Sequence, residues 1–77
     1  MKTAEFTINL GGKKVVFIVN RPYASGSGFS VIHDGEVICK GHQSNREFYF
    51  LSMSVKVEFF QEIFEAKVMK SLKVLFK

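Results

Sequence analysis

Apolar and polar positions alternate in short runs up to Met53, and from Ser54 onward the apolar residues recur at helical spacing to the end of the chain. This change of period predicts four or five antiparallel strands followed by one C-terminal helix. The fold class is therefore α+β (ββββα). Residues 1–77 form a single domain, with the sheet over 1–54 and the helix over 55–77.

Ala4 to Leu10 reads as the first strand, with Phe6, Ile8 and Leu10 on one face and Glu5, Thr7 and Asn9 on the other. Gly11-Gly12 is a two-residue turn signal, because glycine reaches positive φ without steric cost. Lys13 to Asn20 is the second strand, and its Val15–Val19 core is apolar on both faces. A strand reads this way when something covers each face. With one helix available, the second cover falls to a dimer partner or a ligand. Arg21 to Gly28 holds the only proline and reads as an exposed, mobile connection. Phe29–Ile32 and Val37–Lys40 flank His33-Asp34-Gly35-Glu36, where Asp-Gly favours a type I′ hairpin turn. One long bulged strand is the alternative there. Gly41 to Asn45 reads as a polar loop. Arg46 to Met53 is the last strand, with Phe48, Phe50 and Ser52 facing one way and Glu47, Tyr49, Leu51 and Met53 the other.

Ser54 is a suitable N-cap for the helix. Phe60, Phe64, Val68, Leu72 and Phe76 form its apolar line, Val57, Ile63 and Leu75 widen it, and Phe59 and Met69 extend it. The pattern leaves open whether residues 72–77 stay helical.

Size changes what this pattern requires. A chain of 77 residues buries only about 60% of its unfolded surface, so stability is marginal without support. Cys39, the single cysteine, cannot form an internal disulfide. Cys39, His33 and His42 fall short of the four ligands a structural zinc takes, and no cofactor is implied. Self-association remains, and the 47% hydrophobic content with nine phenylalanines points to a homodimer. No leader-like or membrane-spanning apolar run is present. With an unpaired cysteine, this sets the expectation of a cytoplasmic protein.

The net charge of +4 is unevenly distributed. Glu58, Glu62 and Glu65 precede Lys67, Lys70, Lys73 and Lys77, which matches the dipole of a helix over this stretch. The same basic amphipathic stretch could lie on a membrane surface or in a partner's groove, with core packing the commoner use.

Catalytic chemistry is not indicated. His33-Asp34 falls in a turn rather than a pocket. Cys39 and His42 lie at a spacing that no strand turns into a nucleophile pair. Ser25-Gly26-Ser27-Gly28 lacks the ending of a phosphate-binding loop. The protein reads as a non-enzyme.

Single-stranded nucleic acid is held by cations that track phosphates and by aromatic platforms that stack bases. Lys13, Lys14, Arg21, Lys40 and Arg46 suit the first role, and Tyr23, Phe29 and Tyr49 the second. If Phe48 and Phe50 face the helix, Tyr49 lies on the open face of the sheet. The structural alternative places Phe29 and Tyr49 in a dimer core and leaves the lysines as solubility charges.

The order of strands and helix resembles one repeat of the PUR-alpha family of single-stranded nucleic-acid-binding proteins, over about residues 4–70. Val19-Asn20-Arg21, Gly28-Phe29-Ser30-Val31-Ile32, and Arg46–Met53 followed by Phe59-Phe60-Gln61-Glu62-Ile63 carry the likeness. Pro22 to Ser27 is longer than that family's turn, and Whirly-type proteins share the same element order. The resemblance implies paired sheets in a homodimer and base contacts on the sheet face, and it adds Asn20 to Arg21 and Phe29 as site residues. The expectation is a dimeric domain that binds single-stranded DNA or RNA. The alternative is a protein-interaction module, an inhibitor or regulator, that uses the sheet face or the Arg21–Gly28 loop.

Overall fold

A computed structural model describes residues 2–77 of the chain. Five strands, β1 (Lys2–Leu10), β2 (Lys13–Arg21), β3 (Gly28–His33), β4 (Glu36–Ser44) and β5 (Glu47–Met53), form one antiparallel meander in the order β1-β2-β3-β4-β5. A 3-10 segment, Val55–Phe60, leads into helix α1, Gln61–Leu75. This is the α+β arrangement expected from the change of period at Ser54.

The turns follow from backbone chemistry. Gly11 and Gly12 have φ of 58° and 83°, and Asp34 and Gly35 have φ of 52° and 78°. Left-handed pairs of this kind match the right-handed twist of the flanking strands. Both glycine-containing hairpins lie where their sequences place them. A third hairpin turns at Asn45 and Arg46, whose φ values are 51° and 67°. Arginine rarely adopts this conformation, so the sequence gives little sign of the turn.

That turn corrects two boundaries. Gly41 to Ser44 is strand rather than loop, and Arg46 belongs to the turn rather than to β5. Residues of low strand propensity hold strand geometry here because β4 has partners on both sides. Gly28 pairs with His42, and His42 pairs with Tyr49. Pairing on two edges overrides local preference.

One face of the sheet packs on α1. Phe17, Val19, Phe29 and Val31 from the sheet are buried with Phe64, Val68 and Leu72 from the helix. Phe6 stacks on Phe17 at 5.2 Å between ring centroids, and Phe17 meets the edge of Phe64 at 5.5 Å. At the other end of the sheet, Phe29 meets Phe50 at 5.9 Å and Phe48 meets Phe76 at 5.4 Å. Such pairs add specific geometry to the burial of apolar area.

The start of the helical region differs from a continuous α-helix. Ser54 does cap it, accepting a hydrogen bond from the Lys56 backbone N–H at 3.2 Å. The first turns are 3-10, with about 3.0 residues per turn, so side chains three apart share a face. Val57 and Phe60 therefore point into the core. Phe59, expected to extend the apolar line, is 82% exposed instead, and Ile63 is also exposed. Helix α1 ends at Leu75, where the Phe76 N–H closes onto the Leu72 carbonyl.

No layer covers the second face of the sheet among the described residues. On β2, Val16 is exposed and Ile18 half-buried, so the doubly apolar character of that strand stands in the structure with only one side packed. No helix among the described residues is long and apolar enough to cross a membrane.

Candidate nucleic-acid interface

The uncovered face is organised by strand register. Thr3 lies opposite Asn20, Asn20 opposite Ser30, Ser30 opposite Lys40, and Lys40 opposite Ser52. Residues paired in this way share a face. They make a row of hydrogen-bonding side chains across all five strands. The next row is Gly28, His42 and Tyr49. The His42 and Tyr49 rings lie 5.6 Å apart and tilted by 32°, which gives the face a short aromatic platform. Gly28 carries no side chain and leaves the platform open on the β3 side.

Electrostatics hold this platform in place. The Tyr49 hydroxyl donates to Glu47 Oε2 at 2.7 Å. That hydrogen bond, and then the Glu47 charge, raise the phenol pKa above its ordinary value. Lys40, exposed in the adjacent row, supplies the cation beside the rings. Asn20 is half-buried, and its Oδ1 has no hydrogen-bond partner among the described residues.

Four of the nine residues expected at the interface, Lys14, Asn20, Lys40 and Tyr49, share this face. Lys14 lies toward the β1–β2 turn, opposite Asn9. Lys13, also exposed, opens β2 on the other face of the strand. Arg46, in the β4–β5 turn, and Tyr23, in the loop after β2, are both exposed at the end of the sheet nearest the platform.

Two more of the expected residues lie, like Lys13, on the helix side of the sheet. Phe29 is 3% exposed and lies between Phe48 and Phe50, so it cannot stack a base. Its β3 parity matches Val31, on the helix side. Arg21 also points to the helix side. Its guanidinium donates to the carbonyls of Leu75 at 2.9 Å, Ala24 at 2.7 Å and Gly26 at 3.2 Å. The Ser27 carbonyl further accepts from the Gln43 N–H at 2.9 Å. The segment expected to be a loose connection is thus tied to β4 and to the end of α1.

His42 is the platform residue missed in the sequence. Its signal was its position two residues beyond Lys40, which becomes visible only if β4 continues past Gly41. The other reactive side chains do not converge. His33 packs on Phe17 at 5.2 Å, with Nδ1 3.2 Å from the Val16 carbonyl oxygen. Cys39 is buried on the helix side, opposite in parity to His42. Among the described residues no group of three or more His, Cys, Asp or Glu could hold a metal ion.

No family model, curated protein or solved structure matches this chain.

Proposed function

We propose that this protein is a non-enzymatic domain that binds single-stranded DNA or RNA on the uncovered sheet face. The observation that carries the reading is the His42–Tyr49 platform beside Lys40 on the uncovered face. In this reading Tyr49 and His42 stack bases, Lys40 and Arg46 hold phosphates, and Asn20 and Ser30 meet base edges. Lys14 extends the track along β2. The resemblance to the PUR-alpha repeat supports the same use of the sheet. The lone Cys39, free and buried, suits a reducing compartment, and the proposal places the protein in the cytoplasm.

Fluorescence anisotropy with labelled dT and rU oligomers of about 12 nucleotides tests this. The expected outcome is binding that weakens with salt. Tyr49→Ala should cost about tenfold in affinity, and Lys40→Glu should also flatten the salt dependence. No binding to either oligomer at low salt would overturn the proposal.

A second reading has its own observation. Ile18, Ile32 and Val37 are cross-strand neighbours on this face, next to Val16, and Val16 and Val37 are each 47% exposed. An apolar centre with a polar rim also suits a protein partner, and a second copy of this chain is the first to test. Sedimentation equilibrium of the protein and of Val16→Asp decides it. A dimer that Val16→Asp dissociates supports this reading, and a monomer at all concentrations excludes self-association.

A further inference from the structure

The two edges of the sheet are not alike. β5 is interrupted where Lys40 pairs with Ser52 and Gly41 with Phe50, so Leu51 is an extra residue that bulges the strand. Bulges of this kind discourage further pairing. β1 pairs with β2 in unbroken register from Lys2 to Leu10, without bulge or proline, and pairs with no other strand among the described residues. Its outer backbone N–H and C=O groups form a regular row.

Beside that row runs a groove of about 320 Å³, lined by Ala4, Glu5 and Phe6 of β1 and by Lys67, Lys70 and Val74 of α1. Three consecutive β1 residues line it because it follows the strand edge. Ala4 and Phe6 face the helix side, and Glu5 faces away from it. The helix wall is therefore cationic, with exposed apolar surface at Val74. We infer that the β1 edge and this groove accept an extended peptide strand with an acidic residue at every second position, on the face turned toward α1. The added strand pairs its backbone with β1, and its acidic side chains meet Lys67 and Lys70. A second copy pairing β1 with β1 about a two-fold axis would bring both sets of lysines into one seam, so charge selects against it. This site is separate from the open face, and its test does not depend on nucleic-acid binding.

The probe is a labelled, acetylated peptide of about eight residues alternating Glu and Thr, long enough to pair along β1. Anisotropy should show saturable binding, and amide shifts should concentrate on Lys2–Leu10. The double variant Lys67→Glu/Lys70→Glu should bind about tenfold more weakly, the effect of two exposed ion pairs, and should gain affinity for the same peptide with Lys in place of Glu. N-methylation of alternate peptide amides should abolish binding. Lys67→Ala/Lys70→Ala, with its thermal melt, checks that charge and not folding is responsible. The inference is overturned by absent saturable binding, by affinity indifferent to charge reversal, by shifts on the open face, or by competition from the dT oligomer for the groove.

Discussion

The guanidinium of Arg21 lies 4.0 Å from the centroid of the Phe76 ring while donating to the Leu75 carbonyl. One side chain from the end of β2 thereby closes the C-terminus of α1, which has orphan carbonyls, and places a cation at the negative end of its dipole. It also holds the loop after β2 through Ala24 and Gly26.

Arg21→Ala should therefore destabilise the fold by about 2–3 kcal/mol, the sum of a charge-assisted hydrogen bond and a cation–π contact. For a domain of this size that lowers Tm by about 10–15 °C. Arg21→Lys keeps the charge but not the planar fork, and should recover less than half of the loss. Urea titration of the three proteins measures this. Equal stability of all three would refute the structural role, and any loss of ligand binding in Arg21 variants must be compared at matched folded fraction.

Gly41 sits opposite Phe29 across the β3–β4 ladder. A Cβ at this position would overlap the Tyr49 carbonyl oxygen and the Phe29 ring. Neither neighbour can yield easily, since one is backbone and the other is held in the core. Gly41→Ala should cost about 2–3 kcal/mol and displace Tyr49 from its place beside His42. Denaturation together with the His42 and Tyr49 ring shifts by NMR reads both effects. A variant as stable as the parent would show that the ladder accommodates the methyl group.

The sequence announces elements whose local chemistry and tertiary role agree. Gly11-Gly12 and Asp34-Gly35 want positive φ and occur at hairpins. Phe64, Val68 and Leu72 keep helical spacing and face the sheet. It is silent where tertiary pairing overrides local preference. Gly41–Ser44 are poor strand formers that two neighbouring strands hold extended, and Arg46 occupies a left-handed turn that no composition rule assigns to it. The candidate site was partly legible for the same reason. Parity along β5 puts Tyr49 on the open face, as expected. Parity along β3 puts Phe29 on the other face, but a six-residue strand with apolar residues on both sides gives no means of telling which.

Cys39 is 1% exposed, and burial, followed by the charge of Glu65, pushes its thiol from an ordinary 9.0 up to about 12. The folded-state value lies above the unfolded one, so the neutral thiol contributes stability that is fully present below 9.0 and is lost as pH rises toward about 12. Urea stability should be insensitive to this group at neutral pH and should fall through the alkaline window. Tyr49, also shifted upward, adds a decline in the same direction, so Cys39→Ala provides the reference that isolates the thiol. Native protein should resist a thiol reagent near about pH 8, reacting only at the rate of opening. Rapid modification of the folded protein would contradict the burial.

Asn20 separates stability from binding. A buried acceptor without a partner costs about 1–3 kcal/mol relative to a satisfied one, and Oδ1 of Asn20 is such an atom among the described residues. Valine is close in size and better suited to a strand. Asn20→Val should leave stability unchanged or raise it by up to about 1 kcal/mol, while weakening oligonucleotide binding by about tenfold through loss of a base-edge contact. Urea denaturation and anisotropy on the same samples decide between two roles. If Asn20→Val destabilises the protein by more than about 1 kcal/mol, its amide supports the sheet and the interface must be drawn without it. If stability holds and affinity falls, Asn20 belongs to the interface rather than to the support of the sheet.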